Sequence, residues 1–285
     1  MSLHQDLFNI TQRIAGAIDL PPVTGLYFPR LQHDDTFRDE FGFVFLQGGA
    51  IGAFYVSLND TLAELWQRFP EPETVQLPLS ALLEHLSGPD NHALADSALG
   101  VGAYNALSQH VMALANYRPA ARQRKTDTAA EISGRVGMVG YFCPLIERLT
   151  AQGTEVVVLE NLPERVLANP LVSHVSTPHG LADCEQIICT ASTLINDTLD
   201  EVIAACTSAQ RFALTGPTAS GLPDAVFARG VDTVGAIHFP DRQQLTGILD
   251  AGMPWGKAGH KYEISRADYP GLETLLQRVT QPDHN

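Results

Sequence analysis

A chain of 285 residues, 45% hydrophobic and 18% charged, has the composition of a globular protein and is long enough for two domains with separate cores. Its formal net charge of −14 excludes binding nucleic acid by neutralising phosphates, which needs clustered Lys and Arg. No apolar run approaches the ~18 residues of a membrane span, and Asp6 and Arg13 interrupt the opening segment as no secretory signal allows, so a cytoplasmic, membrane-free location is expected.

Asp6 to Ile18 reads as a helix with Leu7, Ile10, Ile14 and Ile18 on one face, ended by Pro21-Pro22. The segment from Glu40 to Leu58, EFGFVFLQGGAIGAFYVSL, alternates apolar runs with Gly48-Gly49 and reads as a hairpin. Thr61 to Arg68 and Pro78 to Leu86 carry helical spacing, and His92 to Leu114 is the longest helical pattern in the chain. Ala98, Gly100, Gly102 and Ala103 crowd that pattern. Glycine costs a helix up to ~1 kcal/mol, so a packing or ligand reason is expected there. Tyr104 and Asn105 lie among apolar neighbours, and the Asn105 amide either serves a ligand or satisfies a backbone group. Strands first and helices after make residues 1–117 a smaller α+β domain.

Between Tyr117 and Gly134 the periodicity fails, and residues 118–133, with the basic cluster Arg118 to Lys125, read as a solvated linker. From 134 to 285, short apolar strands alternate with helices: Arg135 to Val139, Glu155 to Leu159, Gln186 to Thr190, Arg211 to Thr215 and Thr233 to His238, with helices that include Pro144 to Gln152, Leu194 to Ala205 and Pro223 to Arg229. The fold class is therefore α/β, with a Rossmann-like, doubly wound parallel sheet buried on both faces. Ligands bind such sheets at the carboxyl ends of the strands. Those ends carry Gly140, Tyr141 and Phe142; Glu160; Thr190, Ser192, Thr193 and Asn196; Gly216, Pro217 and Thr218; and His238 with Asp241.

Glu160 stands about twenty residues after the glycine turn, where a dinucleotide fold places its ribose-binding acid. The bulky Tyr141 and Phe142 disfavour a pyrophosphate, so S-adenosylmethionine is the nucleotide ligand that stays open, making a methyltransferase-like enzyme the alternative function. The plain alternative for Glu160 is a solvent-exposed strand-end acid. In TAST, Ser192 or Thr193 caps a helix, and the remaining hydroxyls exceed what a cap needs. Cys143, Cys184, Cys189 and Cys206 form no C-x-x-C pair and read as buried free thiols. His174, His179, His238 and His260 have no closed zinc-site spacing, so a ligand role for any of them requires convergence in space.

LGVGAYNALS (99–108), VGMVGYFCPLIERL (136–149), VLENLP (158–163), ICTASTLINDTLDEVI (188–203) and ALTGPTASGLPDAVFARGVDTVGA (213–236) together resemble the family described as putative heavy-metal chelation, a domain of unknown function. The resemblance implies a Rossmann-like carboxyl-terminal domain, an enolase N-terminal-like first domain, and a metal or metal-chelating small molecule in the cleft between them. Its pattern falls on Asn105, Gly140, Tyr141, Pro144, Glu160, Pro163, Thr190, Asn196, Gly216, Pro217 and Thr218, and departs at Ala191 and Asp197, where relatives commonly have glycine. The expected ligand is a small molecule or metal chelate, with a transition metal as the candidate cofactor and a homo-oligomer as the candidate assembly; the reaction, if any, stays open.

Overall fold

The computed structural model describes residues 2–31, 40–87, 93–121 and 134–281. Helix α1 (Leu3–Ala15) starts earlier than the apolar spacing suggests because the Ser2 hydroxyl accepts the Gln5 N–H, and it ends at Gly16, before Ile18. Its buried stripe is Leu3, Leu7, Ile10 and Ile14. An antiparallel meander follows, β1 (Val23–Tyr27), β2 (Phe41–Leu46) and β3 (Ile51–Tyr55), with the turn at Gly48-Gly49 joining the last two. The first strand was not recognised in the sequence.

Helices α2 (Thr61–Arg68) and α3 (Leu79–Leu83) lead to α4 (Leu94–Leu114), in which sixteen of the 21 residues are buried, so it lies inside the molecule rather than on it. The meander is enclosed on both faces. Val44, Leu46 and Phe54 belong to the core cluster that contains α4, while Phe43, Phe45, Ile51 and Ala53 pack with Ile237 and Phe239. That double burial is why the β2–β3 sequence is almost wholly apolar. The small residues of α4 have a packing reason: a Cβ on Gly52 would collide with the Gly102 carbonyl and the Ala106 amide, so β3 and α4 touch backbone to backbone.

Residues 118–121 include strand β4 (Ala120–Ala121), and the rest of the expected linker lies outside the described residues. The second half runs β5 (Val136–Val139), α5 (Cys143–Ala151), β6 (Val156–Leu159), β7 (Val172–Val175), β8 (Gln186–Thr190), α6 (Leu199–Ala205), β9 (Arg211–Thr215), α7 (Asp224–Ala228), β10 (Thr233–His238), α8 (Arg242–Asp250), β11 (His260–Ser265) and α9 (Leu272–Thr280). These strands and β4 form one sheet in the order β4-β11-β10-β9-β8-β5-β6-β7. Strands β5 to β10 are parallel, and β11 and β4 extend the sheet antiparallel. Alternation along the strands gives each face its helices. Val136, Met138, Val156 and Val158 pack on Ile146 and Leu149 of α5, while Val157, Leu159, Ile187 and Cys189 join the cluster containing Leu199 and Val202 of α6.

The expected parallel sheet carries an antiparallel edge built from β11 and β4. One expectation needs correction. The helix expected over Leu194 to Ala205 is split into a 3-10 turn at Ala191–Leu194 and α6 from Leu199, because Asp197 sits at φ +54 and breaks it. One buried cluster includes residues from Leu3 to Leu276, so the two halves share a core. Arg242 adds a polar tie, donating to the Thr24 carbonyl at 3.1 Å and lying 4.3 Å over the Phe45 ring. No helix among the described residues is long and apolar enough to cross a membrane.

Candidate functional site: the crevice between β5 and β8

Strand order reverses between β5 and β8: from β5 the chain moves to β6 and β7 on one side, then returns to β8 and β9 on the other. In an open α/β sheet this switch point leaves a crevice outside the carboxyl ends of the two strands. Gly140 ends β5 and Thr190 ends β8. Gly140 adopts φ +84, which a side chain would strain, and a Cβ there would lie 3.2 Å from Thr190 Cγ2. The two strand ends therefore meet directly.

Around them the polar groups are half-buried rather than enclosed. The Thr190 hydroxyl accepts the Ser192 N–H at 3.3 Å and lies 3.1 Å from the Ser192 hydroxyl, so Thr190, not Ser192 or Thr193, is the cap. Thr193 is buried and donates to the Thr190 carbonyl at 2.7 Å. Asn196 is half-buried and accepts from the Thr198 hydroxyl at 2.7 Å. Across the crevice Tyr141 and Phe142 are half-buried, and the Tyr141 hydroxyl accepts the Leu167 N–H at 3.3 Å. That bond ties the β5 turn to the loop following β6.

Glu160 organises the same loop. It is 9% exposed, which rules out the solvent-exposed strand-end acid. Oε1 accepts the Leu162 N–H at 3.1 Å, Oε2 lies 3.4 Å from Arg165 Nη1, and its backbone carbonyl accepts His174 Nε2 at 2.8 Å. Both carboxylate oxygens thus face their own loop rather than an incoming ribose.

Other expected site residues are brought together elsewhere, in the seam between the halves. Asn105 is 1% exposed, and its Nδ2 donates to the carbonyls of Ala53 and Thr218, both at 2.8 Å, which commits both amide hydrogens. Pro217 and Thr218 are buried beside it, while Gly216 is half-buried at the end of β9. Tyr104 donates to the Leu222 carbonyl at 2.6 Å. A mostly apolar cavity of ≈ 20 Å³ in the seam, lined by Tyr104, Asn105 and Leu222 among others, has room for about one water. A larger ligand does not fit there.

Among the described residues, no three His, Cys, Asp or Glu side chains converge to hold a metal ion. Within those residues the donor set therefore does not fit a metal bound by three or more protein ligands. Cys143, the first residue of α5, is half-buried, correcting the expectation of four buried thiols; its Sγ donates to Glu147 Oε1 at 3.3 Å. That hydrogen bond holds the thiol pKa above its ordinary value. Cys184, Cys189 and Cys206 are buried.

Sequence reasoning missed Arg165, the role of His174 in holding the Glu160 loop, and Gln109. The last is buried on α4, with Nε2 donating to the Ser220 carbonyl at 2.7 Å and to the Tyr262 hydroxyl at 3.0 Å. A polar residue in an almost wholly apolar helix was the available signal.

Residues 126–266, which contain β5 to β11 and the switch point, match the family described as putative heavy-metal chelation. This segment belongs to that family. An uncharacterized protein of Methanocaldococcus jannaschii is 26% identical over 162 residues, 56% of this chain and 61% of that protein, so the match spans less than two thirds of the relative's length. Two crystal structures of family proteins of unknown function share the fold. The one from Pyrococcus horikoshii has a TM-score of 0.65 at 20% identity, covering 91% of this chain and 99% of that one. The one from Desulfitobacterium hafniense has a TM-score of 0.64 at 16% identity, covering 92% and 99%. The enolase-like similarity expected for the amino-terminal half is weak.

Proposed function

We propose that the crevice outside β5 and β8 binds a small polar ligand that carries a transition metal as a chelate. The supporting observation is the meeting of Gly140 with Thr190 at the switch point, with the Thr190 and Ser192 hydroxyls 3.1 Å apart and Phe142 Cε2 3.9 Å from where a Gly140 Cβ would stand. Hydroxyls and amides recognise the carboxylate and amine groups of a chelator, while the metal keeps the donors that its chelator supplies. This reading matches a family named for heavy-metal chelation with the lack of a three-donor set among the described residues. The net charge of −14 favours a neutral or cationic chelate over a polyanionic one.

In this reading Glu160 does not touch the ligand. It fixes the loop that carries Leu167 to Tyr141, and so shapes one wall. Asn105, Pro217 and Thr218 join the halves behind the crevice.

The test is the melting temperature with the nickel–histidine complex, histidine alone, and S-adenosylmethionine, because a ligand that binds only the native state raises it. The proposal expects a shift with the complex that is lost in Thr190→Val with Ser192→Ala. A shift with S-adenosylmethionine alone transfers the crevice to the methyltransferase-like reading, and no shift at saturation counts against both.

A further inference from the structure

His238 and His260, which the sequence leaves 22 positions apart, are direct partners across the antiparallel β10–β11 pair. Both are exposed. Side chains at directly opposed positions leave the same face of a sheet, with Cβ atoms about 4.5–5.5 Å apart, a span that two imidazoles can close around one ion.

The ring of His238 is also oriented from behind. The Gln109 amide cannot be turned round, because its NH2 group donates to the Ser220 carbonyl and the Tyr262 hydroxyl, and that hydroxyl itself donates to Ser220 at 3.3 Å. Gln109 Oε1 therefore accepts, and His238 Nδ1, 2.9 Å away, carries the proton. The lone pair of the neutral ring is then on Nε2. A ring fixed by a hydrogen bond from its second nitrogen to a carbonyl-type oxygen is how proteins hold metal-binding histidines.

We propose that His238 and His260 form a two-histidine site for a borderline divalent cation, of the nickel or zinc class, with Gln109 as its positioning residue and the remaining coordination positions open. Imidazole suits these metals, and two ligands leave room for water or for a chelator's own donors. The site lies on β10 and β11 and uses none of the crevice residues, so it stands or falls separately from the chelate proposal. Gln109 links it to the 217–223 loop, the same loop that Asn105 grips through Thr218.

The experiment is calorimetric titration of tag-free protein with nickel and zinc ions. One ion is expected to bind per chain, and either His238→Asn or His260→Asn should weaken binding by about tenfold or more, while Cys143→Ser leaves it unchanged. His260 is exposed, so His260→Asn should melt as the parent does, which keeps the test independent of the bond that His238→Asn takes from Gln109. Nitrogen-15 spectra of the imidazoles supply a separate readout: His238 should show a proton on Nδ1, and zinc should shift Nε2 of both rings. Binding that survives both substitutions, a proton on His238 Nε2, or no binding at millimolar metal would overturn the proposal.

Discussion

The Asn105 side chain donates to the backbone carbonyl of Thr218 at 2.8 Å, joining residues 113 positions apart in the chain. Its other amide hydrogen reaches Ala53 on the meander, so one buried side chain holds α4, β3 and the β9 loop together. Removing it leaves two buried carbonyls without a donor. Asn105→Ala should cost about 2–4 kcal/mol. Asn105→Asp should cost more, since a carboxylate would oppose both oxygens. Urea denaturation measures both. A loss within experimental error for Asn105→Ala would show that the seam is held by apolar packing alone.

Glu160 carries a smaller structural load. Glu160→Gln keeps an oxygen for the Leu162 N–H and loses the charge facing Arg165, so a cost of about 1 kcal/mol or less is expected. Hydrogen exchange at the Leu162 and Leu167 amides reads the loop directly. Both should exchange faster in Glu160→Leu, and unchanged exchange would separate the acid from the Tyr141 contact.

The thiols should divide by position. Iodoacetamide at pH 8 should label Cys143 and spare Cys184, Cys189 and Cys206 until the protein is unfolded. Glu147→Gln removes the carboxylate that holds the Cys143 thiol protonated, so labelling of Cys143 should accelerate. Mass spectrometry of tryptic peptides measures it, and a slower or equal rate contradicts the assignment.

Alkaline pH should destabilise the fold in a defined window. Burial pushes Cys206 up to about 11 and Cys189 up to about 12, and burial followed by Asp250 pushes Tyr27 up to about 12. These folded values exceed the unfolded ones, so their contribution is complete below the unfolded thiol value near 9.0 and is lost as pH rises towards 12. The urea midpoint should hold steady from neutrality to about pH 9 and fall above it. Replacing Cys189 and Cys206 with Ala should flatten that fall.

Much of this fold was legible because its signals are local. Apolar runs marked β5, β6, β8, β9 and β10, and the small residues of α4 announced a close approach that Gly52 explains. Strand β11 was missed because His260 to Ser265 only partly alternates exposed with buried side chains and lacks the apolar run that marked the parallel strands. With it went the pairing of His260 with His238. How the candidate residues divide was not readable: Asn105 and Thr218 meet each other, Gly140 meets Thr190, and Glu160 turns onto its own loop. Strand order decides which ends are neighbours, and no local pattern encodes strand order.

The crevice proposal is tested most directly by a crystal of this protein soaked with the nickel–histidine complex and measured at the nickel absorption edge. The expected result is anomalous density outside the ends of β5 and β8, with chelator atoms within hydrogen-bond distance of Thr190 or Ser192. Density confined to His238 and His260 would support the two-histidine site and contradict the crevice; an empty crevice at saturating complex would contradict it as well.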